Sequence, residues 1–402
     1  GPDETGTVGR LVETFNAEHA PEIRVEWRVM DRESHRPGLL ALLESEERDV
    51  HVIAADVVWT PELAKKRLVR DLTRRFYRDF SVDDFLEPAL ESATHRLRIW
   101  GVPWYVDTGV LYYRKDLLKK SGFSEPPRTW SELERMAKQV MADSEVRHGF
   151  VFQGAAYEGG FANALEFIWS GGGRVLTGRV FATGAFGQRA IETSAVTVNS
   201  PEAAAGLDAA RRLVKRGVTP EAVKDYREAE ALAAFLRGNA VFLRSWPYVE
   251  GRLDGSALDA ASVGVAPIPA LKPDGVGYGC LGGWNLMIDA NASSAERDAA
   301  WRFIRFLANE RQQRRLALEA GLLPSRPDVY DDEKVARARP VLRLGRKLLA
   351  ERTRVRPNTP FHAEVSRAVA EVFQQVLAGE LTGKQAVARL DSELREVLHR
   401  YR

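Results

Sequence analysis

Residues 101–113 of the chain read GVPWYVDTGVLYY. The stretch places one acid, Asp107, among four aromatic residues and between Pro103 and Gly109. Alternating apolar residues on both sides predict two strands, and the proline and the glycine predict a break between them at Asp107. A carboxylate beside flat apolar rings suits a ligand with C–H faces and a rim of hydroxyl groups, which describes a sugar. Aspartate is also a favoured turn former, so the stretch alone is equally consistent with a structural turn.

The composition is that of an ordinary soluble globular protein. The chain has 402 residues, enough for two domains or one large α/β unit, with 45% hydrophobic and 28% charged residues. The 58 basic residues nearly balance the 56 acidic ones and leave a net charge of +2. These totals show no electrostatic footprint of a nucleic-acid-binding protein.

A single cysteine, Cys280, rules out an internal disulfide and a cysteine-rich zinc site. We expect it to be a small core residue, and it is compatible with either redox compartment. No apolar run approaches the roughly 20 residues that a membrane span needs. The chain shows no signal peptide and begins at Gly1-Pro2, as a processed or trimmed form would.

Hydrophobic spacing predicts the order of the first elements. Apolar residues at helical spacing predict an opening helix over residues 8–15, and strict alternation predicts a half-buried strand over residues 23–29. The apolar run 50–55 predicts a buried strand that ends at Asp56, and Pro61 then begins a short helix. An acid at the carboxyl end of a strand lies where open α/β sheets bind ligands.

Capping signals organise the remainder of the chain. Thr129 begins a capping box before one helix, Ser200-Pro201 begins another, and the glycine run 171–173 ends a helix between them. Further strands are predicted at residues 150–152, 240–243 and 263–267, and residues 281–286 lead into another. The chain is almost wholly helical from Ser294 onward. Strands that alternate with helices predict parallel α/β sheets.

No motif for catalysis or metal binding stands out. The seven histidines lack metal-ligand spacing, and neither G-x-S-x-G nor H-E-x-x-H occurs. Asp56 and Asp107 form a conceivable pair of glycosidase carboxylates. Aromatic residues beside glycine, proline or acid at strand ends suit either a core or a stacking site in a small-molecule pocket: Trp59, Tyr105, Trp246, Tyr248 and Trp284.

The order and spacing of several motifs resemble one protein family. The motifs are residues 55–59 (ADVVW), 102–109 (VPWYVDTG), 111–118 (LYYRKDLL), 153–159 (QGAAYEG), 245–248 (SWPY), 281–284 (LGGW), 328–332 (DVYDD) and 355–357 (VRP). The chain resembles, from Glu4 to its last helix, the extracellular sugar-binding proteins of ABC importers, and most closely their trehalose/maltose-binding branch.

This resemblance implies an α/β, two-lobe periplasmic-binding-protein fold, with a ligand cleft between lobes that close on the sugar. It implies an N-terminal lobe of residues 1–108 and 264–310, and a C-terminal lobe of residues 109–263 and 311–402. Hinge strands would cross between the lobes just after Asp107 and near Val263. No cofactor and no metal are implied.

The resemblance also implies a set of ligand-binding residues. Carboxylates accept sugar hydroxyls, aromatic rings form the walls, and the backbone near Gly283 and the Arg356 guanidinium reach further hydroxyls. The implied residues are Glu4, Asp56, Tyr105, Asp107, Trp246, Tyr248, Gly283, Trp284 and Arg356, with Glu158 as a weaker candidate. Relatives place an arginine about where His35 stands, beside Arg36, so either residue could take over that contact. The resemblance also leads us to expect a strand before Gly1, which either lies upstream of this sequence or was trimmed from it.

The leading hypothesis is an extracytoplasmic receptor that binds an α-linked glucose disaccharide such as trehalose or maltose and delivers it to an ABC importer. A lipid anchor attached through residues upstream of Gly1 is compatible with this hypothesis. We expect a monomer that contacts the permease subunits and no nucleic acid. The same fold binding another oligosaccharide or an acidic glycoside stays open, because fold does not fix ligand. A glycoside hydrolase that uses Asp56 and Asp107 is the distant alternative.

Overall fold

The computed structural model describes residues 5–30, 35–45, 49–183, 189–253 and 255–400. Glu4, one of the predicted ligand contacts, lies outside these residues. The elements of the first half are α1 (Thr7–His19), α2 (His35–Glu44), β1 (Val52–Asp56), α3 (Thr60–Lys65), α4 (Thr73–Asp79), α5 (Glu87–Ser92), β2 (Thr94–His95), β3 (Arg98–Ile99), β4 (Val102–Thr108), β5 (Val110–Arg114), α6 (Lys115–Lys120), α7 (Trp130–Asp143), β6 (His148–Val151) and α8 (Glu158–Ser170).

The second half continues the alternation and becomes mostly helical. Its elements are β7 (Leu176–Thr183), β8 (Arg189–Val196), α9 (Pro201–Lys215), α10 (Glu228–Leu236), β9 (Ala240–Ser245), α11 (Glu250–Leu253), β10 (Val263–Ala266), β11 (Gly279–Ile288), α12 (Ser294–Leu307), α13 (Glu310–Arg315), β12 (Leu323–Pro324), α14 (Glu333–Ala338), α15 (Pro340–Glu351), β13 (Thr353–Arg354), α16 (His362–Leu377) and α17 (Gly383–His399).

The capping signals are confirmed. The Thr129 hydroxyl accepts from the backbone N–H of Glu132, whose carboxylate accepts from the N–H of Thr129 in return, so both groups of the capping box are satisfied at the start of α7. Ser200 caps α9 in the same way through the N–H of Ala203 at 3.1 Å. The opening helix, the strand that ends at Asp56 and the helix begun by Pro61 are also present.

The strand predicted at residues 23–29 is wrong. Residues 23–30 have no strand partner, although Ile23, Val25 and Trp27 alternate with exposed residues and pack against a core as the pattern predicted. The side chain of Asn16 takes the place of a neighbouring strand. Its Nδ2 donates to the Val25 carbonyl at 2.9 Å, and its Oδ1 accepts from the Val25 N–H at 2.7 Å. The alternation therefore reports burial here and not strand pairing.

Two sheets dominate the described residues, and both contain antiparallel pairs, which corrects the expectation of parallel sheets. One has the order β1-β11-β4-β12, with β1 antiparallel to β11 and β12 antiparallel to β4. The other has the order β10-β5-β9-β6, where β6 and β9 run parallel and the other two pairs run antiparallel. Alternation of strands and helices identified the α/β class without fixing strand direction.

The chain divides into two compact units. Unit 1 comprises Gly1–Val106, Val180–Ile191 and Gly282–Arg346, and unit 2 comprises Asp107–Arg179, Glu192–Leu281 and Lys347–Arg402. Apart from the segment Val180–Ile191, the chain passes from unit 1 to unit 2 inside β4, returns inside β11 and passes to unit 2 again inside α15. The division differs from the boundaries that the resemblance implies, because residues 311–346 pack with unit 1 and the return lies at Leu281–Gly282, not near Val263.

Each unit has its own hydrophobic core. In unit 1, residues of α1, α4, β4 and α12 surround Phe15, Phe76, Trp104 and Trp301. In unit 2, Trp130 stacks on Phe167 with ring centroids 4.4 Å apart. Cys280 is fully buried in this second core, which confirms its predicted role, and its Sγ donates to the Ala162 carbonyl at 3.3 Å.

Candidate sugar-binding site

Asp56 lies at the carboxyl end of β1 and is held there by backbone groups. It pairs with Trp284 in the antiparallel register of β1 and β11. Its Oδ1 accepts from the N–H of Val58 at 3.2 Å, and its carbonyl accepts from the N–H of Trp59 at 2.9 Å. The half-buried carboxylate is therefore fixed in direction by the turn that begins α3.

Three rings form an aromatic cluster beside Asp56. The rings of Trp59 and Trp284 meet edge to face with centroids 5.8 Å apart and planes at 84°. The imidazole of His35 lies 5.3 Å from Trp59 and 4.9 Å from Trp284. Both indoles are half-buried and keep exposed surface, whereas His35 is 8% exposed. Burial lowers the pKa of His35 to about 4, so the ring is neutral near pH 7.

The choice between His35 and Arg36 is informed by their contacts. The guanidinium of Arg36 holds the Glu62 carboxylate in a bidentate ion pair, with Nη2 2.8 Å from both carboxylate oxygens and Nε 3.2 Å from one. Such a fork satisfies the planar donors of an arginine. His35 therefore packs against both indole rings, whereas the guanidinium of Arg36 is paired with Glu62 on α3.

Gly283 brings β11 close to β4. Its φ is +116°, and a β-carbon there would lie 2.3 Å from the carbonyl oxygen of Tyr105. Only glycine fits this position. The Gly283 carbonyl accepts from the N–H of Val57 at 3.1 Å, which links it to the turn after Asp56. Tyr105 itself is 8% exposed and belongs to the core of unit 1, so in this structure it contributes less open surface than a ligand wall requires.

In unit 2, the predicted break at Asp107 needs correction. Asp107 and Pro103 both lie inside β4, and the break falls at Gly109, between β4 and β5. A β-carbon on Gly109 would lie 1.9 Å from Oε1 of Glu166, so the glycine makes room for a buried carboxylate. The proline and the glycine marked the strand ends only loosely because β4 continues to Thr108.

Trp246 is supported by a buried ion pair. The Arg244 guanidinium lies under its ring, 4.1 Å from the centroid. Arg244 donates through Nε and Nη2 to Glu166 at 2.6 and 2.5 Å, and both side chains are almost fully buried. The Glu166 Oε1 also accepts from the N–H of Cys280 at 2.9 Å. Because Glu166 and Gln153 hold the Arg244 guanidinium in place, the network supports the half-buried indole in one orientation.

Tyr248 follows Trp246 in a short turn, Pro247–Val249, and is half-buried. The hydroxyl of Tyr112 donates to the carbonyl oxygens of Trp246 and Pro247, each at 3.1 Å. Tyr112 is fully buried on β5. This contact fixes the backbone that carries both predicted aromatic residues.

Arg356 and Glu158 form a second network in unit 2. The Arg356 Nη1 lies 2.5 Å from Glu158 Oε1, and its Nε donates to the Leu281 carbonyl at 3.1 Å. Glu158 also contacts His362 Nε2 at 3.0 Å and accepts from the Ser366 hydroxyl at 2.6 Å. Burial raises the pKa of Glu158, but the electrostatic effects of His362 and Arg356 and the hydrogen bonds outweigh it and lower the pKa to about 2.

The structure therefore gathers the predicted residues into two sets, one in each unit. Asp56, Gly283, Trp284 and His35 adjoin one another in unit 1, and Trp246 with Tyr248, and Arg356 with Glu158, adjoin one another in unit 2. Among the described residues, no cluster of three or more histidine, cysteine or acidic side chains could hold a metal ion.

The chain matches the family model of bacterial extracellular solute-binding proteins over residues 1–314. It belongs to this family. A probable ABC transporter-binding protein of Deinococcus radiodurans is 35% identical over 305 residues, which cover 74% of this chain and 67% of that protein. A maltotriose-binding protein of Pyrococcus abyssi is 24% identical over 290 residues, which cover 71% of this chain and 56% of that protein.

The solved structure of maltose-bound MalE3 from T. maritima matches the fold with a TM-score of 0.85 and 35% identity, over 98% of this chain and 96% of that chain. The resemblance read from the motifs is thus confirmed for this solute-binding protein, as is its α/β fold class. Proteins of the family act outside the cytoplasm and bind solutes. No helix in the described part of the chain combines the length and the apolar character needed to cross a membrane.

Sequence reasoning missed several residues that shape the two sets in this solute-binding protein. The sequence marks Trp59 as a strand-end aromatic residue but not as a ligand contact, although it follows Asp56 by three residues. Glu166 and Arg244 gave no local signal, because a buried ion pair 78 residues apart is visible only once the fold brings it together. The contacts of His362 and Ser366 with Glu158 were missed for the same reason, because each joins residues more than 200 positions apart in the sequence.

Proposed function

We propose that this protein binds a neutral sugar, an α-linked glucose disaccharide such as trehalose or maltose, and delivers it to an ABC importer. The observation that carries the proposal is the arrangement around Asp56: a carboxylate that accepts from the backbone N–H of Val58, beside the half-exposed rings of Trp59 and Trp284. A carboxylate accepts hydroxyl protons strongly, and indole faces stack on the C–H faces of a pyranose.

The set in unit 2 supports the same ligand chemistry. Trp246 and Tyr248 offer two more half-buried rings, and Asp107 offers a second half-buried carboxylate on β4. We assign sugar contacts to residues of each unit. In unit 1, sugar hydroxyls would meet Asp56 and an apolar face would meet Trp284. In unit 2, hydroxyls would meet Asp107 and apolar faces would meet Trp246 and Tyr248.

The arginine contacts favour a neutral ligand over an acidic glycoside. Arg36 is paired with Glu62, and Arg356 is paired with Glu158. An anionic ligand would have to compete with these carboxylates and approach two further acids, Asp56 and Asp107. Recruiting either arginine would leave its own carboxylate without its cation, which is costly where the groups are shielded from water.

The similar proteins support a sugar as the ligand but do not identify which sugar this chain binds. The similar structure from T. maritima holds maltose, and the relative from P. abyssi is named for maltotriose. Location outside the cytoplasm, an importer partner and a small oligosaccharide as ligand all agree with these proteins. The proposed roles for Tyr105, Gly283 and Arg356 are, in turn, a minor wall, a backbone contact and a positioning residue for the loop that carries it.

Isothermal titration calorimetry against trehalose, maltose, maltotriose, sucrose and mannitol tests the proposal. We expect at least one disaccharide to bind with a Kd near 1 µM, about −8 kcal/mol, which a few charge-assisted hydrogen bonds and stacked rings supply. A glucose-release assay with the same sugars separates a receptor from a hydrolase. No heat with any sugar would overturn the proposal, and catalytic turnover would favour the hydrolase.

A further inference from the structure

Five arginines line one hollow on the surface of unit 1, separate from the residues of the candidate sugar site. The hollow has a volume of about 760 Å³ and is lined by Asp71, Thr73, Arg74, Arg75, Arg78, Arg96, Leu97 and Arg98. We call it the arginine hollow. Three of its arginines come from α4 and two from the hairpin of β2 and β3. A chain with almost equal numbers of acids and bases therefore concentrates one sign of charge in one place.

The acids around the hollow leave part of this charge uncompensated. Arg98 pairs with Asp71, Arg75 pairs with Asp298 at 2.6 Å, and Arg78 pairs with Asp79 at 2.8 Å. Asp79 also accepts from the indole N–H of Trp301 at 2.6 Å, so Arg78 shares this carboxylate with a second donor.

Two of the five arginines have no such acid. Within the described residues, Arg74 and Arg96 make no hydrogen bond and no ion pair, and both are exposed. Their guanidinium forks are available to a ligand. Nearby His95 adds no charge near pH 7, because burial, Arg96 and Lys65 lower its pKa to about 4.

The hairpin that presents Arg96 has an unfavourable backbone. His95 pairs with Arg98 across a two-residue turn, and the turn residues Arg96 and Leu97 have φ of +51° and +62°. Two-residue turns of this kind normally use asparagine and glycine, because other side chains are strained at positive φ. Strain that a fold tolerates is often found at functional sites. Here it places an arginine and a half-buried leucine at the rim of the hollow.

We propose that the arginine hollow binds phosphate groups. The guanidinium group matches the oxygens of a phosphate in a bidentate fork and is weakly hydrated, so several arginines on one concave surface favour phosphate over a lone carboxylate. The volume accommodates more than one such group. The phosphates come either from a soluble molecule that carries two or more of them or from anionic lipid headgroups. The hollow shares no residue with the sugar-binding sets, so the inference stands apart from the proposed function.

Calorimetry with inorganic pyrophosphate and co-sedimentation with vesicles test this site. The vesicles contain either phosphatidylcholine alone or a mixture with phosphatidylglycerol, at about 0.15 M salt, where weak long-range attraction is screened. We expect pyrophosphate to bind with a Kd below about 100 µM. Sedimentation with the anionic vesicles, prevented by pyrophosphate, would identify lipid as the source. Pyrophosphate binding without sedimentation would identify a soluble ligand.

A double variant, Arg74→Gln with Arg96→Gln, removes the two arginines that lack an acid. We expect it to weaken binding of the probe by roughly tenfold or more, as the loss of two charge-assisted contacts implies. The control, Arg337→Gln with Arg367→Gln, removes the same net charge from exposed ion pairs on α14 and α16. Circular dichroism spectra and unfolding temperatures of both variants report that they are folded.

The control decides how the result is interpreted. Binding within about twofold of the wild type in the control variant supports a defined site, since bulk charge alone would weaken both variants alike. Equal weakening in the two variants, or no binding of pyrophosphate and of anionic vesicles to the wild-type protein, would overturn the inference.

Discussion

The carboxylate of Glu158 is held by three side chains that come from one loop and one helix of unit 2. Arg356, His362 and Ser366 all contact its oxygens between 2.5 and 3.0 Å. The ionised form is the one they stabilise, and the pKa of Glu158 falls from 4.5 to about 2. A carboxyl group with a lowered folded-state pKa stabilises the fold above its unfolded pKa and loses this contribution as pH falls.

Glu158→Gln should therefore change the pH dependence of unfolding. We expect the wild-type protein to be more stable than the variant above pH 4.5, and the difference in unfolding temperature to shrink as pH falls from 4.5 toward 2. Thermal unfolding followed by circular dichroism over this range measures the difference. The control Glu333→Gln alters an exposed pair with Arg337 and should show little pH-dependent difference. A constant difference across the range would contradict the assignment.

The close approach of β11 to β4 depends on the absence of a β-carbon at Gly283. A β-carbon at this residue would meet the Tyr105 carbonyl at 2.3 Å with φ at +116°. At Gly217 φ is +68° and nothing lies within 4 Å of such an atom. The two positions share an unfavourable φ but differ in the space around them.

Gly283→Ala should cost roughly 3 kcal/mol or more of stability, from strain and overlap together. Gly217→Ala should cost roughly 1 kcal/mol, from the positive φ alone. Differential scanning calorimetry of both variants gives the comparison. Equal losses would show that β11 and β4 separate easily to admit the methyl group, and that the close approach is not required.

Residues near the site were predictable where a local pattern fixes them. Asp56 follows an apolar run that could only be a buried strand, so its place at a strand end was predicted correctly. The roles of His35 and Arg36 were left open, because Glu62, which binds Arg36, is 26 residues away in sequence. Asp107 was placed at a break, although β4 continues to Thr108, because proline inside a strand and glycine just after it give similar signals.

At the scale of elements, the hairpin of β2 and β3 combines a short ladder with a strained turn. Only two residues pair on each strand, and the two turn residues carry positive φ. Repulsion among the five arginines of the arginine hollow adds to this cost. The turn should therefore be easy to improve by replacement with residues that prefer the geometry.

Replacing Arg96 and Leu97 with Asn and Gly should stabilise the protein by about 1 kcal/mol and raise its unfolding temperature. The control Arg96→Gln with Leu97→Ala removes the same charge and most of the same apolar surface but keeps side chains that disfavour positive φ. Calorimetric scans of both variants separate turn geometry from charge. An equal gain in both would assign the effect to relief of repulsion.

Elements were predicted best where caps and periodicity agree, as at α7 and α9. Residues 23–30 show the limit of periodicity, because alternation gave the correct buried side while the Asn16 side chain replaced a partner strand. Strand direction was also beyond the local pattern. The antiparallel pairing of β1 with β11 joins segments more than 200 residues apart, and no short stretch of sequence encodes it.

At the scale of the whole molecule, each unit carries one of the two predicted acids. Asp56 belongs to unit 1 and Asp107 to unit 2. Each carboxylate that accepts sugar hydroxyls contributes its own charge-assisted hydrogen bonds, worth roughly 1.5–3 kcal/mol each. Contacts made by separate residues to separate hydroxyls should add in free energy.

Asp56→Asn and Asp107→Asn should each weaken sugar binding by roughly tenfold or more, and the double variant by roughly a hundredfold. Asparagine keeps the shape of the side chain and removes its charge. Calorimetry gives the affinities, and the rise in unfolding temperature at saturating sugar should shrink in the same order.

The exposed acid Asp274 provides the matched control, and Asp274→Asn should leave the affinity unchanged. Comparison of the single variants then tests the assignment of each acid separately. A loss confined to Asp56→Asn would place the sugar in unit 1 alone, with Trp59 and Trp284 as its walls. A loss confined to Asp107→Asn would place it in unit 2, beside Trp246. Losses in both single variants would assign a hydroxyl contact to each acid, because the change to asparagine keeps the shape of each side chain and removes its charge.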